Sequence, residues 1–178
     1  MHNTRPFRAH AAAIAAALGA LAAPFAAPAA TATGSFQVTA SVTATCLVSS
    51  TANVAFGAYD TTVATNLQAT GTVSVTCTKN TAVTSIDLNL GANASGATRR
   101  MTDGTDFISY ELYKPVSAVP GAACAYTPVW GTGAVNGLVP AAAPTNAART
   151  FNVCGQTTQG QNVGAGSYAD TVTVTINS

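Results

Sequence analysis

From residue 34 onward, apolar and polar side chains alternate along the chain with a period of two, and this constrains the fold more than any other feature. Successive side chains of an extended backbone point to opposite faces, so strict alternation buries one face of a strand and leaves the other to solvent. In GSFQVTASVTATC, residues 34–46, Phe36, Val38, Ala40 and Val42 share one face. Val73, Val75 and Cys77 do so in TVSVTC, and Ile86, Leu88 and Leu90 in SIDLNL. In FISYELY, residues 107–113, Ile108, Tyr110 and Leu112 oppose Phe107, Ser109, Glu111 and Tyr113. RTFNV at 149–153 is shorter, and YADTVTVTI at 168–176 sets Val172, Val174 and Ile176 against threonines. Val54–Phe56 reads as a lesser strand. The turn-rich pieces GANASGATRRMTDGTD and GTGAVNGLVPAAAPTNA read as surface loops. Short Thr- and Val-rich strands with one apolar face each predict an all-β, two-sheet antiparallel sandwich.

Met1–Ala32 has the layout of a secretory leader: Arg5, Arg8 and His10, then the apolar AAAIAAALGALAAPFA, then small residues. A-x-A sites occur at Ala27–Ala29 and Ala30–Ala32, and the second leaves TGSFQV as the new start. Pro24 and Pro28 interrupt a run already shorter than the ~20 apolar residues of a membrane span. The remainder suits one domain of about 150 residues. Its Lys79, Arg99, Arg100, Lys114 and Arg149 stand against Asp60, Asp87, Asp103, Asp106, Glu111 and Asp170. Nucleic-acid binding needs a clustered basic field, which Arg99–Arg100 alone does not supply. Charged residues are only 7% of the chain, and so sparse a charge suits assembly better than free diffusion.

All four cysteines, Cys46, Cys77, Cys124 and Cys154, fall in the exported part, which predicts two disulfides. Three pairings are open, Cys46 with Cys77 and Cys124 with Cys154 being the most local. Each such loop would stabilise the fold by about 3–4 kcal/mol in the chain-entropy model. Both histidines, His2 and His10, leave with the leader, which removes Ser-His-Asp and Cys-His catalysis and the usual zinc ligands. Asp103-Gly104-Thr105-Asp106 is turn chemistry before it is a carboxylate pair. Tyr110 and Glu111 point to opposite faces of one strand and cannot act as a local acid–base pair. Asn93-Ala94-Ser95 is a glycosylation triplet on a predicted loop. Trp130, in PVWGTG, is expected to fill one end of the sandwich. The expectation is a structural protein, not an enzyme, with no cofactor and no metal.

F-x-V-x-A-x-V-x-x-x-C at Phe36–Cys46, FGAY at Phe56–Tyr59, VSVTC at Val73–Cys77, ISYELY at Ile108–Tyr113 and GSYADTVTVTI at Gly166–Ile176 occur in that order. Together they resemble the spore coat protein U domain family, which includes the pilins of archaic chaperone-usher systems such as the Csu pili. The resemblance implies an incomplete immunoglobulin-like sandwich that lacks its final strand and is completed by a donor strand. Residues 33–45 would be the N-terminal donor extension and 46–178 the pilin-type domain. Phe36, Val38, Ala40 and Val42 would insert into a neighbour, and Val172, Val174 and Ile176 would edge the accepting groove. The partners implied are like subunits in a fibre, a periplasmic chaperone and an outer-membrane usher. The implied destination is the cell surface, and the implied role is adhesion or biofilm formation. Cys124–Cys154 would be a bridge added to the family's usual pair, and Ile176-Asn177-Ser178 departs from the aromatic ending common there. From periodicity alone a competing reading stands, a self-complete secreted sandwich that binds carbohydrate or matrix, with residues 34–42 as its own first strand.

Overall fold

The TVSVTC alternation lies within β2 (Gln68–Cys77), where Val73, Val75 and Cys77 are buried. β2 pairs with β1 (Cys46–Ala52) on one side and with β7 (Arg149–Thr157) on the other. β7 in turn pairs with β5 (Phe107–Pro115), which carries β4 (Arg99–Thr102) and β6 (Cys124–Val129) on its far edge. All pairings are antiparallel. A second sheet holds β3 (Ser85–Leu88) and β8 (Val174–Asn177). The chain, a computed structural model, is described over residues 30–178. The leader expected over residues 1–32 lies outside them except for its last three positions. Ser41–Ser178 clusters as one folded unit.

The inward faces meet as expected of an all-β sandwich. Val73, Val75, Tyr110, Leu112, Phe151 and Val153 of the large sheet pack with Ile86 and Leu88 of β3, and Val174 and Ile176 of β8 lie against this core. Trp130 is fully buried within it, and its indole Nε1 donates to the Ile86 carbonyl at 2.7 Å. It is therefore a core residue bridging both sheets, more central than a plug at one end. Ser74, on the outward face of β2, is also buried, paired with the Thr150 hydroxyl at 2.8 Å.

Several sequence expectations are corrected. Residues 30–45 form no strand in this chain, and the first strand, β1, begins where the alternating stretch ends. Val54–Phe56 belongs to no ladder. β4 lies inside a stretch read as loop; β6 was not anticipated; and GTGAVNG contains a single helical turn, α1 (Gly133–Asn136). β8 is shorter than YADTVTVTI: the carbonyls of Thr171 and Thr173 accept from the N–H groups of Ala92 and Asn89, one bond at a time, before a regular ladder forms at Val174. β3 stops at Leu88 because Asn89 turns its side-chain oxygen onto the N–H groups of Gly91 and Thr173. Asp103–Asp106 is the tight β4–β5 connection, with Asp103 Oδ1 accepting from the N–H groups of Thr105 and Asp106.

Cys46 is bonded to Cys77 and Cys124 to Cys154, at sequence separations of 31 and 30. The first bridge ties β1 to β2. The second ties the start of β6 to β7, and the β5–β6 connection folds back along β7, with Gly121 N–H donating to the Thr150 carbonyl and Asn152 Nδ2 to the Ala122 carbonyl. Alkylation of unreduced exported protein should therefore label none of the four cysteines in mass spectrometry. A labelled Cys124 or Cys154 would remove the second bridge.

Candidate functional site

Ile86 gives its N–H to the Leu138 carbonyl at 2.8 Å and receives the Leu138 N–H at 2.9 Å. In the β3–β8 ladder the pair Ile86–Ile176 is therefore of the non-hydrogen-bonded kind. By alternation the main-chain N–H and C=O groups of Val172, Val174 and Ile176 point away from β3. Among the described residues no other strand receives them. β8 thus presents an open edge, the feature that in a sheet templates pairing with another chain.

A cleft of about 390 Å³ lies beside this edge. Thr51–Phe56 forms one wall, Tyr168–Asp170 with Val172 and Val174 the other, and Val73, Leu88, Tyr110 and Val153 belong to its lining. It runs into a wider hollow of about 800 Å³ bounded by residues 54–61 and 163–168, with Val54, Ala55, Phe56, Met101 and Tyr168 common to both. The core side chains beneath it are buried, and the partly buried Val54, Phe56, Met101, Val172 and Val174 form the layer that the cleft leaves accessible.

Glycines position the first wall. A Cβ on Gly71 of β2 would stand 2.6 Å from the Ala52 carbonyl oxygen and 2.8 Å from Val54 Cγ2, and one on Gly155 of β7 would collide with Val54 Cγ1. The bare backbone lets residues 52–56 leave β1 and lie over the inner face of the large sheet, with the Phe56 and Tyr110 rings 6.1 Å apart. Tyr59 fixes the far end of this wall, its hydroxyl donating to the Thr158 carbonyl at 2.8 Å.

Asp170 anchors the opposite wall. It accepts the Tyr110 hydroxyl at 2.7 Å and both the N–H and the side-chain amide of Asn93 at 3.1 and 3.0 Å. Burial, reinforced by the Asp170 carboxylate, pushes the Tyr110 phenol far above the usual tyrosine range, so it stays a neutral donor. Gly91, at φ +87°, passes so close to Asp170 that any side chain there would strike the carboxylate. Asn93 is half-buried in this network, so its glycosylation triplet is part of the fold.

Of the residues singled out from sequence, Val172 and Val174 line the cleft, while Ile176 packs on the core opposite Ile86 without lining it. Phe36, Val38 and Val42 are 87%, 86% and 82% exposed, and Ala40 is exposed with them, in backbone that joins no strand. Sequence reasoning missed the wall at 51–56, the anchor Asp170 and the contribution of Met101. Isolated glycines inside two strand patterns, Gly71 and Gly155, were the available signal, because such glycines mark close approach of another backbone.

Comparison with known proteins adds the following. The family model described as Spore Coat Protein U domain matches residues 32–175. Protein U of Myxococcus xanthus is 35% identical, over 82% of this chain and 84% of that protein. Among solved structures, a chain in the CsuC–CsuE chaperone–tip adhesion subunit pre-assembly complex from the archaic chaperone-usher Csu pili of Acinetobacter baumannii aligns with a TM-score of 0.45 and 21% identity. That alignment covers 76% of this chain and 40% of the solved one, so the chain spans about two-fifths of that protein's length.

Proposed function

The chain belongs to the Spore Coat Protein U domain family, and from that membership and the open cleft we propose that it is a structural pilin of an archaic chaperone-usher system, polymerising by donor-strand exchange. The observation that carries the reading is the pairing of two incomplete features. An apolar cleft runs beside a strand with an unpaired edge, and an alternating apolar segment, Phe36–Val42, lies exposed outside any strand. A donor strand laid along β8 supplies the missing main-chain partners and places alternate side chains in the cleft. Residues 33–45 are the donor extension, and Val172 and Val174 edge the acceptor with Ile176 beside them. A periplasmic chaperone holds the cleft before assembly, and an outer-membrane usher exchanges it for the next subunit's extension. The fibre is carried on the cell surface and serves adhesion or biofilm formation. Two disulfides accord with passage through an oxidising compartment.

A chain carrying Val38→Asp, whose own extension is disabled, should bind a synthetic peptide spanning residues 34–43 and gain several degrees in Tm as peptide concentration rises well above Kd. The same peptide with Asp at position 38 should leave Tm unchanged. A Val38→Asp chain that ignores the wild-type peptide would sink the proposal and favour the self-complete binding module.

A further inference from the structure

The few charges outside the core are sorted by end. Lys79 lies just beyond β2, and Arg149 opens β7 beside it in register, since Val75 pairs with Arg149. Arg149 Nη1 donates to the Ala141 carbonyl and its Nε and Nη2 are buried, so Lys79 is the exposed cation of this end, backed by the Arg149 charge. Thr45 enters the fold at this same end, its carbonyl accepting the Thr78 N–H at 2.9 Å. At the other end lie Asp60, Asp103 and Asp106, the last two in the β4–β5 turn. Counting along β7 from Arg149 to Thr157 and on along β5 from Tyr110 to Phe107 puts about 35 Å between the two groups.

The remaining charged side chains of the described residues do not blur this division. Arg99 pairs with Glu111, Asp170 holds Tyr110 and Asn93, and Asp87 accepts from Asn177. Lys114 donates to the Val135 and Gly137 carbonyls part-way along. Arg100, over the Phe107 ring, is the one cation near the acidic end, leaving it with three carboxylates against one guanidinium. Hydrogen bonds from Thr62 hold the Asp60 carboxyl below its ordinary value, and those from the Asp106 and Thr105 N–H groups do the same for Asp103, so both stay ionised.

We infer that successive copies of this chain meet end to end, the Lys79–Arg149 end of one against the Asp60–Asp103–Asp106 end of the next, and that this complementarity orients and speeds assembly. The contact is heterologous, and such contacts build open filaments when the rotation does not close. It fits a fibre because the segment before β1 joins the fold at the basic end, while the wide hollow of the cleft opens among residues 54–61 and 163–168 at the acidic one. The inference rests on the donor-strand reading and adds to it the orientation of each incoming subunit.

The test is fibre growth of the purified exported chain, followed by light scattering across NaCl concentrations, for wild type and the double variant Asp103→Asn, Asp106→Asn, which leaves the cleft lining untouched. Asn keeps a side-chain oxygen for the acceptor roles these aspartates fill toward Thr105, Asp106 and Gly164. Wild-type growth should slow about tenfold between roughly 10 mM and 500 mM salt, as steered association does. The double variant should grow at the slow rate throughout, and Lys79→Glu should be at least as slow at low salt. Binding of the 34–43 peptide by a Val38→Asp form of each should stay unchanged, which reports an intact cleft. Fibres that grow at the wild-type rate from the double variant, with peptide binding retained, would overturn the end-to-end contact alone. Absence of both peptide binding and fibres in wild type would overturn the donor-strand reading and this inference together.

Discussion

Val38→Asp should abolish fibres while leaving the folded, chaperone-bound subunit near its normal level, whereas Val174→Asp should lose both. The asymmetry follows from where each side chain lies. Val38 is 86% exposed in backbone outside any strand, so its own domain loses nothing when it becomes charged. Val174 pairs with Leu88, lines the cleft and packs on the core. In a partner's cleft, each of Phe36, Val38 and Val42 would contribute roughly 1.5–3 kcal/mol by burial, and a carboxylate in that place adds a desolvation cost of similar or greater size. Electron microscopy of surface fibres and immunoblots of the periplasmic complex measure the two outcomes. Equal loss of folded material in both variants would make residues 34–42 an intradomain strand.

The second large effect concerns Arg99, which is fully buried. Its Nε donates to the Asn89 carbonyl at 3.0 Å, its Nη2 to the carbonyls of Leu88, Asn89 and Trp130 at 3.1, 2.8 and 2.8 Å, and its Nη1 meets Glu111 Oε1. One planar fork thereby joins β4 of the large sheet to the end of β3 and to Trp130. Arg99→Met should cost about 3–5 kcal/mol, since it strands the Glu111 carboxylate and several carbonyl groups together. Arg99→Lys should also be damaging, because an ammonium lacks the fork that reaches four acceptors. Arg99→Met combined with Glu111→Leu should recover part of the loss, as replacing a buried ion pair by apolar groups often does. Denaturant unfolding of the disulfide-intact protein measures all three. A wild-type midpoint for Arg99→Met would show that the network contributes nothing to stability.

Much of the core was legible because strand alternation is local. Val73 and Val75 announce their face through their immediate neighbours, as do Ile86 with Leu88 and Tyr110 with Leu112, and each is buried as the period requires. The candidate site was legible only in part. Val172 and Val174 fell on the correct face, but the wall at 51–56 has no partner strand and hence no ladder to enforce an unbroken period. Arg99 looked like half of a surface basic pair because nothing adjacent in sequence marks it for burial; its acceptors lie up to 31 residues away.

The sequence by itself determined which side chains can share a strand face, that four cysteines lie beyond the leader-like segment, and that surface charge would be scarce. All three are properties of neighbouring residues or of composition. Only the tertiary structure decided that β8 keeps one edge open and that Gly71 and Gly155 admit the 52–56 backbone. The same holds for Asp170 locking onto Tyr110 and for the basic and acidic side chains standing at opposite ends. Each of these depends on register and on contacts between residues far apart in the chain, which local alternation leaves free.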